Sequence, residues 1–392
     1  MEDKKARQSE AMKAKMQPKK FEKNPILGTK FTIAISSAKG GVGKSTFATN
    51  LALALKKIGC KMKAIVTGGC GFIGSHLVDL LLDMNISTLV LDNFSSGRPE
   101  NLAHQRHNEN LTIVELDISE NDRCMKQYFT DADYVFHLAA LADIVPSIKN
   151  PDAYFKSNVV GTMNIIQAAR SAKSLKKLVY AASASCYGVP DEYPTKEEAD
   201  IRVEYPYALT KRLAEEMVLH WGKVYDLPVN STRFFNAYGP RSRTSGTYGA
   251  VFGVFLAQKL AGKAYTVVGN GEQTRDFTYI SDIVSGIWAV AQIEQCNEVM
   301  NIGSGGTYSI NQLVALLGGD VSYIPKRPGE PDCTFADISK IKQFTDWLPQ
   351  VSFEQGVKKM LSHIDYWTNA PVWDEKSIAA ETKEWFDALS EK

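Results

Sequence analysis

The sequence predicts an α/β fold in which a doubly wound parallel sheet is followed by a smaller C-terminal lobe. From Lys63 onward, short apolar runs rich in β-branched residues alternate with stretches of helical periodicity, which is typical of parallel sheets. After Gly239 the pattern loosens into loops rich in Gly and Pro. We therefore expect a sheet domain over residues 62–240 and mainly a substrate-binding lobe over residues 241–392. The predicted strands are Ala64–Val66, Thr88–Asp92, Leu111–Leu116, Tyr134–Leu138, Lys177–Ala182 and Val229–Phe234.

A glycine-rich turn links the first predicted strand to a helix. Gly68, Gly71 and Gly74 lie three residues apart, a spacing that allows a sharp turn, close approach of a pyrophosphate and tight packing of helix on sheet. The N-terminus of the following helix would face the phosphates. Asp92 ends the second strand, 18 residues after Gly74, where a carboxylate can accept hydrogen bonds from both ribose hydroxyls. This combination predicts a Rossmann-type site that prefers NAD to NADP, because the carboxylate would repel a 2′-phosphate.

The composition excludes several classes of protein. The chain has 45 basic and 44 acidic residues, so net charge gives no reason to expect binding to nucleic acid or to an anionic membrane. No apolar run reaches the roughly 18 residues needed to span a bilayer, and no secretory signal is recognisable. The six cysteines lack the paired spacing of zinc sites, and no metal site is predicted. We expect a cytoplasmic protein in a reducing compartment.

Residues 1–61 carry a second, separate signal. Residues 1–24 are polar and basic, which predicts a disordered arm. Residues 25–61 then contain a strand and a phosphate loop that includes Lys39, Gly43, Lys44 and Ser45. The two lysines resemble the deviant Walker A motif of the ParA/Mrp group of ATPases, which includes iron–sulfur scaffolds. The later aspartates and CxxC motif of that group do not follow, so we interpret this segment as a truncated, vestigial P-loop fragment.

Tyr207 and Lys211 lie four residues apart on a predicted helix, so their side chains share one face. Together with the glycine turn and Ser183, this order of motifs resembles the extended short-chain dehydrogenase/reductase family, and within it the nucleotide-sugar epimerases. The resemblance implies that Tyr207 is the catalytic base, that Lys211 favours its phenolate and holds the nicotinamide ribose, and that Ser183 binds the reacting sugar hydroxyl.

The same resemblance implies the remaining site residues. Asn236 is expected to contact the sugar diphosphate, and Arg275 and Arg327 to clamp its phosphates, because a guanidinium pairs with phosphate oxygens in two places at once. Thr334 stands where the family restricts or admits an N-acetyl group, and its small side chain suggests a permissive pocket. Besides the glycines, Asp92 and Lys211, the expected NAD contacts are Phe72, Ile73, Asn93, Asp117, Ile118, Leu138, Ala139, Ala140 and Asn158.

Residues next to Ser183 favour one reaction among several. The 4,6-dehydratases of the family carry Asp-Glu directly after this Ser or Thr, and the UDP-glucuronate decarboxylases carry a Glu at the second position. Here the positions hold Ala184 and Ser185. The sequence therefore predicts an NAD-dependent 4-epimerase acting on a UDP-sugar through a transient 4-keto sugar, with dehydratase or decarboxylase as alternatives.

Three further hypotheses concern other classes of function and the assembly. An ATP-binding iron–sulfur scaffold would use Lys39 and Lys44, and a binding module would hold NAD without turnover. Tyr207, Lys211 and Ser183 argue against the binding module. Members of the family usually form homodimers through two helices per subunit, for which the segments Tyr154–Ala172 and Tyr207–Tyr225 are the candidates.

Overall fold

Thirteen strands and twelve α-helices make up the part of the chain that the structure describes. A computed structural model describes residues 61–120, 125–242 and 250–389. The strands are β1 (Lys63–Thr67), β2 (Ser87–Asp92), β3 (Leu111–Glu115), β4 (Tyr134–His137), β5 (Lys177–Ser183), β6 (Val229–Phe234), β7 (Ala237–Tyr238), β8 (Tyr265–Val268), β9 (Thr274–Arg275), β10 (Thr278–Tyr279), β11 (Glu298–Ile302), β12 (Tyr308–Ser309) and β13 (Val321–Ile324).

The helices are interspersed with the strands along the chain. They are α1 (Phe72–Asp83), α2 (Met125–Phe129), α3 (Ile144–Lys149), α4 (Pro151–Tyr154), α5 (Gly161–Ala169), α6 (Pro206–Tyr225), α7 (Val251–Leu260), α8 (Ile280–Gln292), α9 (Ile310–Leu317), α10 (Ser339–Phe344), α11 (Phe353–Ser362) and α12 (Glu375–Leu389). A π-helical segment, Phe155–Val160, joins α4 to α5.

Seven parallel strands form the main sheet, in the order β3-β2-β1-β4-β5-β6-β11. All six strands predicted from the sequence are present in it, so the predicted doubly wound Rossmann-type fold is confirmed. The chain leaves β3 at one edge and returns as β4 on the other side of β1. Ligands of such sheets bind outside the carboxyl ends of the strands at this reversal of direction.

Alternating side chains of β1 pack into two different cores. Ala64 and Val66 belong to the core that includes α1 and α8, whereas Ile65 belongs to the core that includes α5 and α6. All three are at most 2% exposed. Both faces of the sheet are therefore covered by helices, which explains why its strands read as continuous apolar runs.

The C-terminal part of the chain contributes to two regions. Three two-stranded sheets, β7 with β10, β9 with β12 and β8 with β13, lie outside the main sheet, and all of their strands except β7 fall within the predicted substrate-binding lobe. In contrast, β11 and α8 belong to the main sheet and its covering layer, although they follow residue 240. The lobe therefore leaves the main sheet after β6 and the chain re-enters it at β11.

The described ranges contain neither a helix that could span a membrane nor a cluster of metal-ligating side chains. None of their helices has an apolar stretch long enough to cross a bilayer, and no group of three or more His, Cys, Asp or Glu residues in them is arranged to hold a metal ion. The predicted phosphate loop, with Lys39, Gly43, Lys44 and Ser45, lies outside the described residues.

Candidate active site

A cavity of about 780 Å³ opens at the carboxyl ends of the main strands. It extends from the glycine turn after β1, past Tyr207 and Lys211, to Arg275 and Arg327. Its volume lies in the range typical of small-molecule and cofactor sites. With the exception of Asn158, the structure thus brings the predicted cofactor and diphosphate residues to one continuous cleft.

The glycine turn has almost no room for side chains. Gly68 has a φ of 69°, which L-residues rarely adopt, and a Cβ at Gly74 would lie 2.1 Å from the carbonyl oxygen of Gly68. The helix α1 begins at Phe72 and has no side-chain cap. Gly68, Gly71, Phe72, Ile73 and Gly74 all line the cavity. The N-terminus of α1 is therefore available to a diphosphate.

Asp92 is held in place at the end of β2. Its carboxylate accepts hydrogen bonds from the backbone N–H groups of Cys70 and Phe94, both at 2.9 Å. Burial raises the pKa of Asp92, and the two hydrogen bonds oppose that rise. Gly97 packs directly against the carboxylate, because a Cβ there would lie 2.7 Å from Oδ2. Asp92 lines the cavity in a fixed orientation, as a ribose contact requires.

Asp117, a predicted NAD contact, is held in place by neighbouring groups. Its carboxylate accepts hydrogen bonds from Asn93 Nδ2 at 3.0 Å and from the Ser119 backbone N–H at 2.8 Å. Ile118 is 5% exposed and fits against Gly161 of α5, where a Cβ would lie 2.9 Å from its Cδ1. Asn93, Asp117 and Ile118 line the cavity as predicted.

The segment after β4 lines the cavity, but Asn158 does not. Leu138, Ala139 and Ala140 form part of the wall. Asn158 is 1% exposed, and its amide is used entirely within the protein. Its Oδ1 accepts from the Leu141 N–H at 2.8 Å, and its Nδ2 donates to the Leu141 carbonyl and to Thr210 Oγ1, both at 3.0 Å. Asn158 therefore fixes the segment against α6 instead of facing a cofactor.

The buried side chain of His137 helps to hold the segment after β4 in place. The two ring nitrogens of His137 lie 2.7 Å from Thr67 Oγ1 and 2.8 Å from Thr162 Oγ1. Burial, with a smaller contribution from Lys211, lowers its pKa to about 3. Thr67 Oγ1 in turn accepts from the Ala139 N–H at 3.1 Å. His137 is a neutral packing residue that ties β1, β4 and α5 together.

Tyr207 and Lys211 lie on the first turns of α6 and face the cavity together. Removal from water raises the pKa of Tyr207 to about 12, and a hydrogen bond with Ser183 opposes that rise. Burial lowers the pKa of Lys211 to about 7, and the charge of Glu215 opposes the fall. The sequence-based expectation was that Lys211 would favour the phenolate. Desolvation outweighs this effect and shifts both pKa values toward the neutral forms of the two groups.

Glu215 continues the same face of α6, and the sequence analysis did not identify it. Its carboxylate is fully buried and accepts from Arg233 Nη2 at 2.7 Å and from Ser231 Oγ at 2.7 Å. Arg233 is 2% exposed, and its guanidinium lies over the ring of Tyr187 at 4.7 Å. This ion pair lies one helical turn beyond Lys211. The spacing of four between Tyr207, Lys211 and Glu215 was the available signal.

The surroundings of Ser183 contain hydroxyl groups but no acid on its own strand. Ser183 Oγ lies 3.1 Å from Ser185 Oγ, and Tyr205 is hydrogen-bonded to Ser185. Tyr205 was also missed by the sequence analysis. The acid whose charge acts on Tyr207 is Asp143, which lines the cavity from the segment after β4 with a φ of 78°. No sequence pattern pointed to Asp143.

The opposite end of the cavity carries the two predicted clamp arginines. Arg275 Nη2 lies 3.3 Å and Arg327 Nη1 3.7 Å from the same oxygen, Glu330 Oε1. Asn236 also lines the cavity, and its Oδ1 accepts from Thr334 Oγ1 at 2.6 Å. Thr334 Oγ1 itself accepts from the Asp276 N–H at 3.0 Å. Thr334 is thus joined to Asn236 behind the cavity wall.

Comparisons with known proteins agree with this geometry. The family model described as the NAD dependent epimerase/dehydratase family matches residues 64–303. A UDP-glucose 4-epimerase of Mycolicibacterium smegmatis is 32% identical over 305 residues, which are 76% of this chain and 97% of the relative. A UDP-glucuronic acid decarboxylase 1 of Xenopus tropicalis is 32% identical over 314 residues, covering 77% of this chain and 72% of the relative.

A solved structure supports the same assignment. The UDP-glucuronic acid 4-epimerase of Bacillus cereus, in complex with UDP-glucuronic acid and NAD, is 30% identical with a TM-score of 0.72, covering 78% of this chain and 99% of that one.

A second family model matches the N-terminal segment. The model described as NUBPL iron-transfer P-loop NTPase matches residues 28–72, which include the predicted phosphate loop. This confirms the predicted resemblance to the ParA group, and the match extends to residue 72, past the predicted end at residue 61. The larger match covers the main sheet up to the residue after β11. The predicted cofactor, NAD, is the cofactor named in that family's description. The chain therefore belongs to the NAD-dependent epimerase/dehydratase family of nucleotide-sugar enzymes.

Proposed function

We propose that the protein is an NAD-dependent nucleotide-sugar 4-epimerase. The observation that carries this proposal is that Tyr207 and Lys211 line the cavity and Tyr207 is hydrogen-bonded to Ser183, with Ala184 and Ser185 where the dehydratases and decarboxylases have their acids. Oxidation and reduction at C4 need only a base, a hydroxyl partner and a hydride acceptor. Elimination of water requires a further acid or base, and the family's decarboxylases place a Glu where Ser185 stands.

Ser183, Tyr207 and Lys211 have different roles in the proposed proton transfer. Ser183 is placed to hold the sugar 4′-hydroxyl beside Tyr207, whose phenol oxygen would accept the hydroxyl proton. Bound NAD supplies a reversible hydride acceptor for C4. Because the pKa of Tyr207 is about 12 in the ligand-free protein, the phenolate requires additional positive charge nearby. Lys211, with a pKa near 7, is poised to supply part of it when it binds a proton.

The far end of the cavity fits a diphosphate. Arg275 is 8% exposed and Arg327 lines the same wall, so their guanidinium groups meet a ligand in a partly dry environment where charge-assisted hydrogen bonds are strong. Both currently share the carboxylate oxygen of Glu330. A diphosphate would compete with this carboxylate for both guanidinium groups. A UDP-sugar spanning from Arg275 to Tyr207 is therefore the substrate class we propose.

The size of the sugar pocket depends in our proposal on Thr334. Its hydroxyl donates to Asn236, and the family resemblance makes this the position that restricts or admits an N-acetyl group, so a bulky side chain here would narrow the space for that group. Thr334→Tyr should therefore slow turnover of UDP-N-acetylgalactosamine more than that of UDP-galactose. A coupled kinetic assay of both substrates tests this, and equal losses for the two sugars would exclude a role in sugar choice.

The reaction itself is tested by NMR of the purified full chain with UDP-galactose or UDP-N-acetylgalactosamine and no added NAD. We expect the gluco epimer to form, and Tyr207→Phe to abolish it by removing the base. Tyr225→Phe is the matched control, since Tyr225 lies at the end of the same helix and is 41% exposed. Mass spectrometry of the product distinguishes the alternatives, because loss of water or of CO₂ would refute epimerisation.

The predicted homodimer is part of the proposal. The large apolar side chains exposed on the π-helical segment, α5 and α6 include Phe155, Met163, Leu209 and Leu213, at 36–48%. They lie within the two segments that the sequence nominated. Light scattering of a Leu213→Glu variant tests this face: a monomer supports it, and an unchanged dimer excludes it.

The N-terminal segment supports a second candidate function, because residues 28–72 match a P-loop NTPase model. ATP binding through Lys44 would make the chain a fusion of two nucleotide-binding activities. Lys44→Ala should leave epimerisation unchanged if the segment is vestigial. Measurable ATP binding that this substitution abolishes would establish the second function.

A further inference from the structure

We propose that Trp385 is a positioning residue for Arg327, and that α12 thereby sets the affinity of the site for the diphosphate of its substrate. The inference rests on the proposed function, because it takes Arg327 to be a diphosphate ligand. Nothing in the sequence motifs pointed to α12, which lies near the C-terminal end of the described chain.

One face of α12 is buried. Ile378, Thr382 and Trp385 are 3%, 2% and 2% exposed, at helical spacings of four and three. The guanidinium carbon of Arg327 lies 5.5 Å from the centroid of the Trp385 ring, within the range of a cation–π contact. Both side chains line the cavity. The indole therefore forms one wall against which the guanidinium rests.

A hydrogen bond fixes the backbone of the same loop. Trp385 Nε1–H donates to the carbonyl oxygen of Pro328 at 3.0 Å, and Pro328 directly follows Arg327. At the next residue, Gly329, a Cβ would lie 3.4 Å from Leu389 Cδ1, so the end of α12 also packs on this loop. One side chain thus restrains both the guanidinium of Arg327 and the peptide unit beside it.

The edge of this same face of α12 is attached to the segment that follows β4. Glu381 pairs with Lys149 of α3 at 2.9 Å, and α12 packs along α3. Ile144, Val145 and Pro146 of α3 line the cavity just after Asp143. The helix therefore connects the wall that follows β4 with the loop that carries Arg327.

The expected effect is on binding and not on the chemical step. An arginine side chain loses considerable rotamer freedom when it grips a ligand, and a side chain already held in place loses less. Without the indole, the affinity for the diphosphate should fall about tenfold, the size of a partly buried cation–π contact. The turnover number at saturating substrate should stay close to that of the wild type, because the proton transfers occur at Tyr207.

A double-mutant cycle tests the proposal, with binding of UDP to the full-length protein measured by calorimetry. The variants are Trp385→Leu, Arg327→Ala and the double variant. We expect Trp385→Leu to weaken UDP binding about tenfold in the wild-type background and not at all in the Arg327→Ala background. A direct contact between Trp385 and the nucleotide, or a general loss of structure, would give the same loss in both backgrounds and would overturn the proposal.

Two conservative variants complete the test. Trp385→Phe retains an aromatic face but loses the N–H group, so it should weaken binding less than Trp385→Leu, and it replaces that variant in the cycle if the leucine protein does not fold. Trp347→Phe is the matched control: Trp347 is 7% exposed and donates to Ser285 Oγ at 3.0 Å. It should bind UDP like the wild type. Weakening by Trp347→Phe equal to that by Trp385→Phe would overturn the proposal.

The binding assay separates this inference from the proposed reaction. If UDP binds but no sugar is epimerised, the 4-epimerase proposal fails and the cycle can still be interpreted. If the sugars are epimerised and the cycle is additive, only the role of Trp385 fails. Absence of binding by UDP, dTDP, GDP and ADP alike would overturn the assignment of Arg327 and this inference with it.

Discussion

Replacement of Lys211 by methionine should stabilise the ligand-free protein while abolishing its activity. The ammonium is buried, and its pKa falls from 10.5 to about 7. Between these two values the unfolded chain binds more protons at this position than the folded protein does, so the free energy of unfolding rises with pH across that window. At about 1.4 kcal/mol per tenfold change, the wild type is destabilised by about 4 kcal/mol at pH 7 and by less than about 1 kcal/mol at pH 10. Lys211→Met removes this penalty and keeps the length of the side chain.

The assay is denaturant unfolding of NAD-free protein at pH 7, 8.5 and 10. Lys211→Met should be the more stable protein at pH 7, and its advantage should shrink as the pH rises. Lys177→Met is the matched control, because Lys177 is also buried, at 2% exposure, but donates to the Gln295 carbonyl at 2.8 Å. It should lose stability. A Lys211→Met protein that is less stable than the wild type at pH 7, or whose gain does not change with pH, would refute the reasoning.

Two further predictions concern the glycine turn and the buried ion pair. Gly74→Ala places a methyl group 2.1 Å from the Gly68 carbonyl oxygen, so α1 must move and NADH affinity should fall more than about tenfold in a fluorescence titration; an unchanged dissociation constant would contradict this. Glu215→Gln leaves the charge of Arg233 buried and uncompensated, which should lower the free energy of unfolding in urea by about 3–5 kcal/mol. Glu216→Gln, at an exposed neighbouring position, should change it by less than about 1 kcal/mol, and equal effects of the two substitutions would exclude the ion pair as the cause.

The parts of the site that the sequence predicted are those that depend on local spacing. The glycine turn and the pair Tyr207 and Lys211 each lie within a few residues of chain, and backbone periodicity alone brings them together. Glu215 follows Lys211 by four residues, but the sequence does not indicate that its side chain is buried. Its partner Arg233 is on β6, and their contact depends on how α6 packs on the sheet.

Other features depend on contacts between distant parts of the chain. An asparagine in a helical segment can point toward a cofactor or toward its own protein, and Asn158 binds Leu141 because the π-helical turn directs its amide inward. The contact between Trp385 and Arg327 joins residues 58 positions apart, and no periodic pattern encodes it. Sequence reasoning therefore predicted the residues that line the cavity better than the residues that hold them in place.

The return of the chain to the main sheet at β11 has a consequence for biosynthesis. Asn230, in the neighbouring strand β6, is fully buried, and its amide Nδ2 donates to the carbonyl of Gln295, just before β11. A nascent chain that has emerged only as far as residue 240 would leave β6 as an unprotected edge, the kind of surface that pairs with other chains. The cofactor-binding half is therefore expected to reach its final state only after about 60 more residues have left the ribosome. At about 5–20 residues per second, the edge of β6 stays unpaired for about 3–12 seconds during synthesis. Chaperones have time to bind it in this interval.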